Sequence, residues 1–275
     1  MSQSMLPNSQ DDQAESCRTV SAIVPVFDEE KTVRGVVEVL LRSSLIDEVI
    51  CINDGSTDGS LAILETFAGR ISLINLEENH GKGRALATGI REAKGDIVAL
   101  FDADLANLSE MHIGMLLTPI LDGSATVVLG FPARDRGNPN VLSDLTGERA
   151  YYRQDLLPLL TRMETTRFGV EVLLNDAFRE QLPAQVPLTG LRGLYKYEKY
   201  TRAKAFREYL GEAIEIAEEM GRLHGLLPGD SQIIAGLTEV TDTEELSRRV
   251  RTIRSEPIRR LFEKYVLERL RRRHE

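Results

Sequence analysis

The apolar run Ile97-Val98-Ala99-Leu100-Phe101 stops abruptly at Asp102-Ala103-Asp104. A buried strand that ends in two carboxylates one residue apart delivers both to the carboxyl edge of a sheet. In open α/β sheets that edge is where ligands bind. Two hard oxygen donors there suit Mg²⁺ or Mn²⁺ carrying a substrate diphosphate. An ordinary Asp-rich turn has the same composition, so the pair takes its meaning from what precedes it.

Three earlier apolar runs end in polar clusters of their own. Pro25-Val26-Phe27-Asp28-Glu29-Glu30 closes the first. Proline has no N–H to donate, so it is expected to stop the ladder and leave the carboxylates free to face a crevice. Capping of the next helix by Asp28, with Glu favoured at its positive end, accounts for the same residues. Asn53-Asp54-Gly55-Ser56-Thr57-Asp58 closes the second run. A carboxylate there accepts the imide N–H of a uracil or the amino edge of a guanine, and the glycine lets the chain turn. His80-Gly81-Lys82-Gly83-Arg84 follows the third and opens a helix. Glycines, a lysine and a helix N-terminus form an anion site, although neither GxxxxGK[ST] nor GxGxxG is matched.

The elements that position these clusters alternate. SAIVPV, EVICIN, ISLINL and DIVALF read as strands, separated by helices over 29–43, 60–68 and 83–93. Strands alternating with helices predict right-handed crossovers, an α/β fold and a mostly parallel sheet with helices on both faces. A helix over 110–121, a strand at ATVVLGF and a loop at ARDRGNPNVLSD follow. Helices are expected over 147–160 and 169–180, then a strand at PAQVPLTGL, and only helix beyond about residue 197. The organisation expected is a disordered segment over 1–17, a catalytic domain over 18–196 and a helical extension over 197–275.

A chain of 275 residues can bury a sizeable core. Its formal charge of −9 argues against nucleic acid as a partner, since that role needs phosphates neutralised by Lys and Arg. From Arg248 onward, however, eleven Arg or Lys face four Glu, so the tail is +7 and the remainder −16. In its last helix Ile258, Leu261, Phe262, Tyr265 and Leu270 share a face. Such a basic amphipathic helix either rests on an anionic inner-membrane surface or packs on the acidic domain or a sister subunit in a homodimer. Cys17 and Cys51 make neither a disulfide framework nor a zinc site, so a cytoplasmic setting is expected. No stretch approaches the length of a membrane span.

Taken in order, VPVFDEEKTV, INDGSTDG, HGKGRALATGI and GDIVALFDADL resemble the successive signatures of nucleotide-sugar-dependent glycosyltransferases of the GT-A fold, family-2 type. The resemblance spans about residues 20–105. It implies that Pro25, Val26, Phe27, Asp28, Glu29 and Asp54 line the base and ribose pocket, with Lys82 near the nucleotide. It makes Asp102-Ala103-Asp104 the metal-binding DxD segment, Asp104 being the more direct ligand of Mg²⁺ or Mn²⁺. UDP-glucose is the first expectation for the donor and GDP-mannose the second.

A narrower resemblance, to glucosyl-3-phosphoglycerate synthases, rests on Asp28-Glu29-Glu30, on Leu145-Thr146-Gly147-Glu148 and on Phe168-Gly169-Val170-Glu171. It implies that Leu145, Phe168 and Glu171 contact the donor sugar or the acceptor. An inverting transfer needs a carboxylate base, and Glu171 is the candidate; the synthases that the chain resembles are retaining and use no such base, so the outcome stays open, and an ordinary Glu at a helix N-terminus is the alternative. The chain departs from those synthases in a shortened acceptor loop and in lacking the histidine that completes their metal shell. His80, His112, His224 and His274 read as non-ligands. The acceptor is left open between a phosphorylated small molecule and a lipid-linked one. The competing readings are a sugar nucleotidyltransferase, for which PVFDEE stands where a GxGxR-type loop belongs, and a degenerate binding scaffold.

Overall fold

A computed structural model describes residues 18–133 and 143–271. The segment 1–17 and most of the shortened loop lie outside the described residues. Seven strands form one sheet: β1 (Val20–Val26), β2 (Glu48–Asp54), β3 (Ser72–Leu76), β4 (Ile97–Leu100), β5 (Val127–Ala133), β6 (Glu148–Tyr152) and β7 (Ala184–Thr189). Their order is β3-β2-β1-β4-β6-β5-β7. The pairs β1–β2, β1–β4, β2–β3 and β5–β7 are parallel, and β6 runs antiparallel to both of its neighbours. The carboxyl ends of β1, β2 and β4 therefore share one edge. The amino end of β6 meets them there, with Arg149 opposite Leu100.

Helices cover both faces because successive side chains of a buried strand point opposite ways. α1 (Val33–Arg42), α2 (Ser60–Glu65) and α4 (Glu110–Leu121) cover one face. There Val36, Val37, Leu40, Leu116 and Leu117 pack on Val24, Cys51 and Ala99. On the other face α3 (Lys82–Glu92), α6 (Leu160–Met163) and α7 (Val170–Ala177) bring Leu86, Ile90, Met163 and Leu173 onto Ile23, Ile50, Ile52 and Val98. Each such aliphatic side chain contributes roughly 1.5–3 kcal/mol on burial, so the layers hold the edge loops in place.

Two sequence expectations change here. Residues 148–152 are a strand, and helix resumes only at α5 (Arg153–Leu156). Glu-Arg-Ala-Tyr-Tyr suits either state locally; hydrogen bonding to β4 and β5 decides it, turning Arg149 and Tyr151 inward. Arg149 is fully buried. It donates to the Thr146 and Asp144 carbonyls (2.7 and 2.6 Å) and to Asn175 Oδ1 (2.8 Å), which fixes the loop entering β6. Pro25, in turn, does not end β1: it pairs in register with Ile52. Ile23 O accepts from Phe101 N–H, so Ile23 and Pro25 turn their backbone polar groups to the β4 side. β4 has ended by then, and the missing N–H costs no ladder bond.

After β7 come α8 (Lys196–Lys199) and the long α9 (Arg202–His224), then α10 (Asp230–Gly236), α11 (Thr243–Val250), α12 (Glu256–Leu261) and α13 (Glu268–Arg271). Ile258, Leu261 and Phe262 of the tail are buried as expected, together with Val266 and Leu267. The turn Phe262–Leu267 is π-helical, and its wider winding rotates Val266 inward. This apolar face packs on Tyr209, Ala213, Ile216 and Ala217 of α9, in a cluster that also takes Val172 of α7. It is covered mainly by α9, with Leu145, Phe168 and Val172 of the preceding region packed in the same cluster. Among the described residues no helix is long and apolar enough to cross a membrane.

Candidate active site

Asp54 organises the edge before any ligand arrives. Its two carboxylate oxygens accept from His80 N–H (2.9 Å) and Gly81 N–H (2.8 Å), and the residue is 2% exposed. This ties the end of β2 to the start of α3 and sets the direction of Lys82. Close approach is permitted because Gly55 has φ +69°; a Cβ there would lie 2.5 Å from the Glu78 carbonyl carbon. The loop after β1 closes on the same turn. Asp28, at φ +54°, accepts from Thr57 N–H at 2.7 Å, and Glu29 N–H donates to Ser60 Oγ at 2.8 Å. Asp28 thus holds the 55–58 turn instead of capping α1, which begins at Val33.

The acidic pair after β4 is countered by lysines from two directions. Lys82 Nζ lies 2.6 Å from Asp102 Oδ1 and 2.7 Å from Glu171 Oε1. Lys199 Nζ lies 2.6 Å from Glu29 Oε1 and 3.3 Å from Asp104 Oδ2. Burial pulls both ammonium groups down, but the carboxylates around them prevail and hold both above the ordinary lysine range. Burial pushes Asp104 upward against the pull of Lys199, and it lifts Glu29 to about 7. The structure thus joins Lys82, Asp102 and Glu171 in one group, and Asp104, Glu29 and Lys199 in another.

The remaining expected residues are placed differently. Val26 and Ala103 are buried and offer only backbone, whereas Phe27 is exposed. Leu145 and Phe168 pack with the helical extension rather than among the charged groups, and Lys196 Nζ stands 5.8 Å from the Phe168 ring centroid. Apolar side chains gain more there than beside carboxylates.

Three residues at the edge escaped sequence reasoning. Gly147 lies against Asp102: an added Cβ would stand 2.2–2.4 Å from all three carboxylate atoms. Gly147→Ala is therefore expected to displace Asp102 and to lower by about 10²-fold any activity that depends on it, the scale of an ångström-sized misplacement. Steady-state kinetics with a circular dichroism control checks this. Glu148 is the second, and its position in the motif Thr146-Gly147-Glu148 was the available signal. Lys199 is the third: its basic and aromatic neighbourhood, Tyr195 to Tyr200, suits an acceptor mouth or a cap on the domain, and nothing in it signals a contact with Asp104.

Glu148 is 3% exposed. Burial, reinforced by Asp102, pushes its carboxyl up to about 8. The Thr146 hydroxyl lies 2.5 Å from Gly130 O and 2.7 Å from Glu148 Oε2. One hydroxyl proton serves one acceptor, so a protonated Glu148 that donates to Thr146 satisfies all three groups. Because its folded value is raised, this stability is full below about pH 4.5 and is lost as pH rises through about 8. In metal-free buffer, urea denaturation is expected to lose on the order of 3 kcal/mol between pH 5 and 9. Glu148→Gln should make that profile shallower, leaving the part contributed by Glu29, which burial lifts to about 7.

The donor chemistry fits a hard divalent cation. Even without the protonated Glu148, the carboxyl groups of Glu29, Asp102, Asp104 and Glu171 outnumber the ammonium groups of Lys82 and Lys199. Among the described residues no cluster of three or more side chains is arranged as a complete metal site. Water and phosphate oxygens would fill the remaining positions, as Mg²⁺ accepts readily.

Comparison with known proteins bears on the family and the fold. A glucosyl-3-phosphoglycerate synthase of Mycolicibacterium smegmatis is 35% identical over 130 residues, covering 44% of this chain and 43% of that protein. A dodecaprenyl-phosphate galacturonate synthase of Rhizobium johnstonii is 33% identical over 97 residues, covering 32% of this chain and 28% of that protein. The matches to the synthases take in only 36% to 43% of those relatives' length. Among solved structures, the glucosyl-3-phosphoglycerate synthase of Mycobacterium tuberculosis with Mn²⁺, UDP-glucose and glycerol 3-phosphate shares the fold. It aligns with a TM-score of 0.58 at 24% identity, over 78% of this chain and 82% of that one. The model of glycosyl transferase family 2 matches residues 21–172, the stretch that carries the carboxyl ends of β1, β2 and β4, and the chain belongs to that family.

Proposed function

We propose that this chain transfers a hexose from a nucleotide diphosphate sugar to a hydroxyl of a phosphorylated small-molecule acceptor, with Mg²⁺ or Mn²⁺. UDP-glucose is the preferred donor and GDP-mannose the second. The supporting observation is the acidic pair at the carboxyl edge of β4, held by Lys82 and Lys199 beside the loops of β1 and β2. The synthase solved in complex with Mn²⁺ and UDP-glucose favours the same donor.

Asp102 and Asp104 would hold the ion, which when bound neutralises the diphosphate as the bond to the sugar breaks. The protein supplies the rest. Exposed Phe27 and the loop fastened by Asp54 and Asp28 take the base and ribose. Lys82 places a fixed positive charge where leaving-group charge builds. Glu171 shares that ammonium with Asp102 at 2.7 Å, and we assign it the acceptor hydroxyl's proton.

The test is nucleotide release from UDP-, GDP- and ADP-sugars with Mn²⁺ and phosphorylated hydroxy-acid acceptors. Acceptor-dependent release of UDP is the expected result. Absence of release from every donor, with no calorimetric heat for any nucleotide, would return the chain to a binding scaffold.

A further inference from the structure

The stretch after β7 brings no histidine to Asp104; it brings a cation. Lys199 Nζ bridges Glu29 and Asp104, and its side chain is only 7% exposed. The segment leading into it is fastened at several points. Leu194 N–H donates to Asp104 O at 2.9 Å, and Ala106 N–H donates to Arg192 O at 2.8 Å. Lys31 Nζ donates to Glu198 O at 2.8 Å, while Glu198 pairs with Arg192 and caps Tyr195. The peptide cannot easily withdraw, so any yielding falls to the lysine side chain.

An ammonium and a divalent ion at one carboxylate oxygen repel each other at contact distance. As the site stands, Lys82 lies on Asp102 Oδ1 at 2.6 Å and Lys199 on Asp104 Oδ2 at 3.3 Å. A free divalent ion that takes those oxygens competes with them. A diphosphate alters that balance: its oxygens offer the lysines charge-assisted partners and add ligands for the ion. Glu29, at 2.6 Å, also gives Lys199 a nearer carboxylate to retain once Asp104 is taken.

We propose that Lys199 is a positioning residue that gates the divalent ion, holding Asp104 until a nucleotide diphosphate arrives, so that metal and nucleotide bind interdependently. This rests on the transferase reading above. It adds that the ammonium in the third-ligand region is a competitor for the metal and not a passive prop.

The experiment is Mn²⁺ titration by electron paramagnetic resonance on the full chain, with and without UDP. Wild type, Lys199→Met and Lys199→Arg are compared. Wild type is expected to bind Mn²⁺ at least about tenfold tighter with UDP, because a competitor occupying Asp104 lowers the competent fraction. Lys199→Met should bind Mn²⁺ about tenfold tighter than wild type without UDP, while Lys199→Arg keeps the charge and the wild-type behaviour. A structural lysine would not give that gain, nor its reversal by arginine. Wild-type Mn²⁺ affinity indifferent to UDP overturns the inference, and this arm stands even if Lys199→Met fails to fold. Folded Lys199→Met with wild-type metal affinity overturns it too, leaving the transferase reading intact. No Mn²⁺ bound to wild type even with UDP sinks both.

Discussion

Asp104→Asn is expected to lower kcat/KM for sugar transfer by at least about 10³-fold, the scale of losing a preorganised charge stabiliser. Asp102→Asn should do the same. Asparagine keeps the shape but offers one neutral oxygen, so a divalent ion is held poorly and the departing diphosphate goes uncompensated. The fold should survive the change at 104. Lys199 retains Glu29 at 2.6 Å, and removing a charge near Glu29 and Glu148 relieves like-charge crowding. Thermal unfolding of the metal-free variant is therefore expected within about 1 kcal/mol of wild type. Full activity in either variant would contradict the assignment. Loss of activity that tracks loss of folding would make the aspartates structural.

Lys82→Met carries the second large effect, again about 10³-fold in kcat/KM. The ammonium touches Asp102 and Glu171 at once, both within 2.7 Å. Methionine fills the space and leaves the two carboxylates facing each other without a counter-charge. Lys82→Arg should rescue poorly. A planar guanidinium matches one carboxylate side-on, whereas here a compact ammonium is shared between two. Lys82→Met combined with Glu171→Gln should be little worse than the more damaging single change, because residues acting as a unit are not additive. A fully additive pair would separate Glu171 from the group.

The strand ends were legible from sequence because their signals are local. An apolar run closed by Asp102-Ala103-Asp104, or by Asp54-Gly55, states its burial and its turn within a few residues. Lys82 was legible for the same reason, as the first residue of a helix, flanked by Gly81 and Gly83. Glu148 and Gly147 were not, since 148–152 has no local preference strong enough to choose strand over helix. Antiparallel pairing with β4 made that choice, and with it came the contact between Gly147 and Asp102. The tail's apolar face was readable, but the π-helical turn that brings Val266 inward was not.

The sequence by itself determined an α/β sheet whose carboxyl edge gathers acidic residues from β1, β2 and β4, along with the family signatures they form. Only the tertiary structure decided which cation answers which carboxylate. Lys199 meets Asp104 across 95 residues of chain, and such a meeting depends on the path by which the segment after β7 is fastened to 104–106. Local propensity carries no information about that path, because the free energy that fixes it comes from contacts made after the elements have formed.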